Sequence, residues 1–158
     1  MNFIDGKIHD VEVRILEKHS DLRGWLTEVF RDDELPKNFS PAMCYISLTL
    51  PGMSRGPHEH QEQTDLFVFT GPGMFRITLW DNRKTAQTYG VREAIIAGDT
   101  SPTMILVPPG VVHGYKNFSE VPGLVVNCPD KLFAGRNRKF PVDEIRHEND
   151  AKTPFQWN

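Results

Sequence analysis

The sequence predicts an all-β antiparallel sandwich or barrel with few helices, on three observations. Twelve prolines and twelve glycines cut 158 residues into short pieces. The pieces between them are β-branched and aromatic, with period-two alternation or continuous apolar runs. Helical signals are confined to a turn near 32–35 and a stretch near 141–147. Many short strands at close, even spacing mean an antiparallel layered fold, not alternating βαβ units.

The candidate strands in order are 11–16, 25–30, 42–50, 65–70, 74–80, 91–96, 103–107, 112–118 and 123–128. The clearest is 74–80, where Phe75, Ile77 and Leu79 point one way and Arg76 and Thr78 the other. Pro51-Gly52, Gly71-Pro72-Gly73, Asp81-Asn82 and Pro108-Pro109-Gly110 supply turns. No internal repeat, low-complexity tract or linker interrupts the chain, so residues 1–158 form one domain. Residues 129–158 differ in kind. Basic Arg136, Arg138 and Lys139 and aromatic Phe140, Phe155 and Trp157 mark a polar tail that packs on the barrel or on a partner subunit.

Hydrophobic content of 39% and charged content of 25% are those of a globular protein, and the net charge of -3 argues against nucleic acid as partner. The charged N-terminus, MNFIDGKIHD, lacks the apolar core of a signal peptide, and no apolar run approaches the roughly 20 residues of a membrane span. A cytoplasmic protein is the expectation. Cys44 and Cys128 each lie in an apolar run and read as buried free thiols, with a Cys–Cys pair as the alternative.

The chemistry concentrates in histidine. His58 and His60 are two apart, so on an extended chain both imidazoles leave the same face, with Glu59 on the other. Asp65 opens the next strand, and His113 follows the tight turn at Pro108–Gly110. A surface His-x-His pair arises by chance, so the bland alternative stands until the second segment is added. His9, His19 and His147 have no such company and read as ordinary surface residues.

Gly52, His58, His60 and Asp65, followed by Pro108, Gly110, His113 and Asn117, resemble the two motifs of the cupin superfamily, G-x5-H-x-H-x4-E and P-x-G-x2-H-x3-N. Asp65 stands where the family has Glu. The resemblance implies a cupin-type double-sheet jelly-roll barrel. It also implies a metal site of His58, His60, Asp65 and His113, suited to Zn, Fe, Mn or Ni.

A second resemblance covers about Asp21 to Trp157. Asp21-Leu-Arg23-Gly24-Trp25-Leu-Thr-Glu28-Val-Phe30, Arg55-Gly56-Pro-His58, Pro108-x-Gly110-x-x-His113-Gly-Tyr115 and Asp150-x6-Trp157 are similar to segments of the dTDP-4-dehydrorhamnose 3,5-epimerase family, in the same order. That family epimerises a nucleotide-linked 4-keto sugar without metal. The resemblance implies that His58 is the base and Asp150 its orienting partner. Arg23 and Arg55 would contact diphosphate and sugar, His113 and Tyr115 would line the pocket, and a homodimer would carry the Arg23 segment to the neighbouring site. Two family roles are unmatched: the lysine that steadies the enolate aligns with Asp65, and the tyrosine that returns the proton falls at about Val126. A carboxylate does not stabilise an enolate and valine donates no proton, so Tyr45, Tyr115 or a metal must substitute for standard chemistry.

Three readings follow. The first is an epimerase or isomerase acting on a dTDP-4-keto-6-deoxyhexose or similar keto sugar, and not a standard 3,5-epimerase. The second is a metal-dependent cupin isomerase or dioxygenase acting on another small oxo or hydroxy acid. The third is a non-catalytic sugar-binding barrel. His58 separates the first two, because one imidazole nitrogen cannot both ligate a metal and abstract a carbon-bound proton. As a metal ligand, it would use Asp150 as acceptor for its other N–H.

Overall fold

The computed structural model describes residues 2–157. In chain order the strands are β1 (Ile4–Asp5), β2 (Glu12–Ile15), β3 (His19–Asp21), β4 (Gly24–Leu26), β5 (Tyr45–Thr49), β6 (Ser54–Glu59), β7 (Asp65–Phe69), β8 (Met74–Asp81), β9 (Val91–Gly98), β10 (Thr103–Val107), β11 (Val111–Asn117), β12 (Gly123–Asn127) and β13 (Ile145–Arg146). Among the described residues, helix is limited to single 3-10 turns at Asp32–Glu34, Arg136–Arg138 and His147–Asn149, none long and apolar enough to cross a membrane.

A six-stranded sheet runs β1-β9-β8-β11-β6-β13, a five-stranded sheet runs β2-β10-β7-β12-β5, and β3-β4 form a separate hairpin. Except for the parallel β1–β9 pair, neighbours are antiparallel. The two large sheets face each other across a core that includes Phe67, Phe69, Phe75, Ile77, Leu79 and Ile105. The alternation read in 74–80 is the reason: its apolar set points between the sheets. β7 and β10 are buried along their whole length. Their second face, with Leu66, Val68, Met104 and Leu106, is covered by Leu16 and Phe39 and flanked by Val29, Phe30 and Leu35. Continuous apolar runs such as Thr103–Val107 are what a strand buried on both faces requires.

The structure departs from the expected elements where pairing is long-range. Of 25–30, only Trp25 and Leu26 are strand, the end of β4 (Gly24–Leu26), and Val29 and Phe30 instead cap the outer apolar cluster. β6 was not among the expected strands, because Gly56 and Pro57 interrupt its pattern. The glycine is required: its φ is +79°, and a Cβ there would lie 2.6 Å from the carbonyl oxygen of His113. The expected helical stretch near 141–147 is instead β13 followed by a 3-10 turn, since Ile145 and Arg146 pair with Glu59 and His58 along β6. Of the two thiols, Cys128 is buried, but Cys44 is exposed, and both are free. In the tail, Phe155 is buried against Trp80 and Val112, with Trp157 beside them.

Candidate active site

The fold assembles the site at one end of the interval between the sheets. β6 and β11 are antiparallel neighbours with His58 directly opposite His113, and the register shifts just beyond this pair, between His113 and Tyr115. The two imidazoles stand 4.4 Å apart between centroids, and His60 lies 5.7 Å from His58 and 5.8 Å from His113. One ligating nitrogen from each ring falls within 4.8 Å of the others. Asp65, the first residue of β7, enters from the opposite sheet and is fully buried. Its Oδ2 lies 3.1 Å from His60 Nε2 and 3.3 Å from His113 Nε2. The structure thus brings together His58, His60, Asp65 and His113.

Hydrogen bonding fixes how these groups face one another. His113 Nδ1 donates to the carbonyl of Val111 at 3.0 Å, and His60 Nδ1 donates to the carbonyl of Asp143. In the neutral rings the Nε2 lone pairs therefore point inward. Gln63 Nε2 donates to His60 Nε2 at 3.2 Å and to Asp65 Oδ1 at 3.0 Å, and Asn127 Nδ2 donates to the same Oδ1 at 2.8 Å. Asp65 Oδ2 and His113 Nε2 are buried without a hydrogen-bond partner. A carboxylate oxygen facing two imidazole lone pairs is unfavourable unless positive charge lies among them. A proton on one ring meets that need, and so does a cation. The orphaned oxygen and nitrogen, with backbone acceptors fixing both outer N–H groups, are a donor set that fits a divalent metal.

The electrostatics agree with this charge arrangement. Burial, reinforced by the neighbouring imidazoles, pushes the His58 pKa down to about 2, so its ring is neutral. Burial also opposes charge on His60, but the Asp65 carboxylate outweighs it and raises the His60 pKa. Burial works against the Asp65 carboxylate too, and the facing His113 and His60 overcome it, holding the group well below the usual carboxylate range.

Two tyrosines stand near this network, Tyr45, which is nearly half exposed, and Tyr115, which is buried in the core. Tyr45 on β5 accepts a hydrogen bond from Asn127 Nδ2 at 2.8 Å, so the same amide bridges Tyr45 Oη and Asp65 Oδ1. Burial pushes the Tyr45 pKa up to about 12. Its own O–H hydrogen is left to point elsewhere. Tyr115 on β11 is buried, with Oη 2.9 Å from Ser47 Oγ.

Other expected site residues lie differently. Arg55 is exposed and tied to β5 through Thr49 Oγ1 at 3.1 Å and the Leu48 carbonyl at 2.8 Å. Arg23 sits in the β3–β4 turn with its guanidinium on Asp21. Among the described residues, no hydrogen bond joins Arg23 to the histidines. Asp150 is exposed and its Oδ1 accepts the N–H of Lys152 at 2.9 Å, a local turn in place of the expected bond to His58. The stretch facing β6 is 145–147, which leaves Asp150 beyond the register. His147, expected at the surface, donates from Nε2 to the buried Glu59 at 2.8 Å and packs its ring against Phe155 in a tilted arrangement, 4.6 Å between centroids. Gln63, Asn127 and Asp143 complete the site without any motif to announce them. For Gln63 and Asn127 the only available signal was strand periodicity and nearness to Asp65.

Comparison with known proteins places the chain in a family. The profile described as dTDP-4-dehydrorhamnose 3,5-epimerase matches residues 5–146. A probable low-salt glycan biosynthesis epimerase, Agl13 of Haloferax volcanii, is 36% identical over 152 residues, covering 96% of this chain and 95% of that protein. The spore coat polysaccharide biosynthesis protein SpsL of Bacillus subtilis is 33% identical over 156 residues, covering 98% and 97%. The crystal structure of a dTDP sugar isomerase from Desulfovibrio desulfuricans superposes with a TM-score of 0.79 at 24% identity, covering 95% of this chain and 92% of that one, which shows the shared cupin jelly-roll fold. With a family profile spanning most of its length and two relatives aligned nearly end to end, the chain belongs to the dTDP-4-dehydrorhamnose 3,5-epimerase family.

Proposed function

We propose that the protein is an epimerase or isomerase of a nucleotide-linked keto sugar, of the dTDP-4-keto-6-deoxyhexose class, that moves a proton at the carbon beside the ketone. The carrying observation is that a neutral imidazole and a protonated phenol flank one polar cluster from opposite sheets: His58 on β6 beside His60 and His113, and Tyr45 on β5, linked through Asn127 to Asp65. Removing a proton on one face and returning one on the other requires such an opposed pair. His58 has a free lone pair at any physiological pH. Tyr45 keeps its proton and has an unengaged O–H. The position aligned with the family tyrosine, Val126, packs instead toward the outer apolar cluster, while Tyr45 pairs in register with the next residue, Asn127. Tyr45 therefore takes the role from the adjacent strand.

The orphaned Asp65 Oδ2 and His113 Nε2 favour a second reading, in which His58, His60, His113 and Asp65 would hold a divalent metal. Such an ion would act as a Lewis acid toward a ketone. In that case the acid–base work falls to Tyr45 and Tyr115, because His58 is then a ligand. We further propose a homodimer. The β3–β4 hairpin carries exposed Leu22, Trp25 and Leu26, and edge strand β5 exposes Ile46 and Leu48 on its outer face, with exposed Leu50 just beyond its end.

Incubation with a dTDP-4-keto-6-deoxyhexose in heavy water tests the first reading. Wild type incorporates deuterium beside the ketone, and His58→Ala abolishes this. Tyr45→Phe keeps exchange but loses inverted product by roughly 10²–10⁴-fold. Binding of the sugar nucleotide without exchange would leave only a sugar-binding barrel. Absence of both binding and exchange would remove the sugar reading.

A further inference from the structure

The turn that joins His60 to Asp65 has an unusual dependence on the C-terminal tail. Residues 61–64 lie outside any strand, and their N–H groups are all taken by aspartate side chains from far along the chain. Asp143 Oδ1 accepts from Gln61 at 2.8 Å, and its Oδ2 accepts from Glu62 at 2.8 Å and Gln63 at 3.0 Å. Asp130 Oδ1 accepts from Thr64 at 2.9 Å. Three successive N–H groups converging on one carboxylate form an anion-binding nest, here filled from within the molecule.

The same residue contacts the pocket through its main chain, since the Asp143 carbonyl accepts from His60 Nδ1. The segment that follows is fixed to β6 by the β13 pairing and by His147 on Glu59. Asp143 is thus held on both sides: by its carboxylate on the turn and by its successors on the strand. On the inner side of His60, Gln63 Nε2 donates to Nε2, which requires a lone pair there and hence the proton on Nδ1.

We propose that Asp143 is a positioning residue of the pocket. Its carboxylate, anchored on the N–H groups of residues 61–63, holds its own carbonyl on His60 Nδ1 and so keeps the His60 Nε2 lone pair aimed at the space shared with Asp65 and His113. This rests on the reading of the histidine pocket as the working site only for its functional consequence. The tautomer is a property of the fold. Without Asp143 the alternative tautomer has a ready acceptor, because an Nε2–H would donate to Asp65 Oδ2 at 3.1 Å.

The experiment is imidazole ¹⁵N NMR on the full chain, at a pH where the His60 ring is neutral, for wild type, D143N and D143A. It is combined with amide hydrogen exchange at residues 61–63. Wild type is expected to show His60 as the Nδ1–H tautomer. D143A should move His60 toward Nε2–H and speed exchange at the three amides by roughly tenfold or more, with D143N between them. Titration with Zn²⁺ or Mn²⁺ should give about 10–100-fold weaker binding in D143A if the pocket holds metal. A wild-type Nε2–H tautomer would overturn the proposal. So would an unchanged tautomer in D143A despite faster exchange, since Asp143 would then only pin the turn. Should D143A fail to fold, wild type and D143N decide. If wild type neither labels the sugar nor binds metal, the functional reading fails while the tautomer result still judges Asp143.

Discussion

Asp65→Asn tests the charge logic of the pocket directly. Asparagine has the shape of aspartate and can keep its Oδ1 on Gln63 and Asn127. Its Nδ2 would face His60 Nε2 and His113 Nε2 with two hydrogens to donate. If those nitrogens carry lone pairs and nothing positive lies between them, the substitution replaces a repulsion by two hydrogen bonds and is neutral or stabilising by about 1 kcal/mol. If Asp65 instead pairs with positive charge, the loss is large. At the 3.1 Å separation of Asp65 and His60, a unit charge pair is worth about 5 kcal/mol at an effective dielectric constant of about 20. Breaking a buried pair costs about 3–5 kcal/mol in practice. At about 2–4 °C per kcal/mol for a chain of this size, Tm falls by roughly 6–20 °C. The pH window follows from the two shifts. The Asp65 pKa is depressed on folding, so its contribution is in place above the unfolded value near 3.8 and fades as pH falls toward its folded value. The His60 pKa is raised, so its contribution is complete below the unfolded value of 6.5 and is lost as pH rises through its folded value. The destabilisation should therefore be greatest between about pH 4 and 6.5 and shrink above it in metal-free protein. Added Zn²⁺ or Mn²⁺ at pH 8 should restore the gap if the pocket binds metal, because ligation needs deprotonated imidazoles. The assay is denaturant unfolding at pH 5.5 with chelator and at pH 8 with and without metal. D65N as stable as wild type in all three would refute the presence of positive charge at Asp65.

Because the His58 pKa falls from 6.5 to about 2 on folding, wild-type stability should drop by about 1.4 kcal/mol per pH unit below 6.5, and His58→Asn should flatten that slope between pH 6 and 4.5. Equal slopes in urea unfolding would contradict the burial argument. Gly114→Ala would place a Cβ 2.8 Å from the Arg55 carbonyl oxygen and 2.8 Å from the Trp157 ring, so it should cost about 1–3 kcal/mol and shift Trp fluorescence to the red as Trp157 undocks. Unchanged fluorescence would show that the tail accommodates the methyl group. In light scattering at micromolar concentration the protein should have the mass of two chains, and Leu26→Glu combined with Ile46→Glu should give monomers. A monomeric wild type would remove the homodimer.

Local pattern carried the fold as far as local pattern reaches. The strands β7, β8, β10, β11 and β12 were legible because their apolar sets alternate or run continuously, and each pairs along most of its length. β6 was hidden by Gly56 and Pro57, although it carries His58, and β13 has only two residues. Both exist because a neighbouring strand offers hydrogen bonds, a condition no window of sequence contains. The site divides the same way. His58, His60 and Asp65 are close in sequence, and His113 joined them through a recognisable turn. Asp143 meets the 61–63 turn from eighty or more residues away with no motif of its own. Asp150 carried the spacing of a family motif, but its carboxylate is occupied by its own turn. Spacing records where a residue falls along the chain, and the β6 register decides which tail residue reaches the pocket.

On the resemblance, Asp65 stands where the family has a lysine, which would change the charge count of the pocket, and that count constrains the chemistry. A proton leaving carbon beside a ketone loads negative charge on the ketone oxygen, which needs positive charge nearby. Lysine supplies +1. An imidazolium on His60 paired with the Asp65 carboxylate supplies zero net charge, with only the local orientation of the pair to help. A divalent ion among the three imidazoles with one carboxylate leaves +1 again, the value the lysine had. The pocket's neutral His58, its inward Nε2 lone pairs and its single buried carboxylate match that sum. Buried Asp65 alone would oppose enolate formation by adding a negative charge. On the second reading, Asp65 would help to hold a cation rather than touch the substrate, and the proton traffic would fall to the tyrosines because His58 would be a ligand; on the first, His58 stays the base. The consequence is a linked pair of measurements. Bound metal per chain and deuterium incorporation should fall together in His60→Ala, whereas in a metal-free, His58-driven enzyme incorporation would persist after chelation.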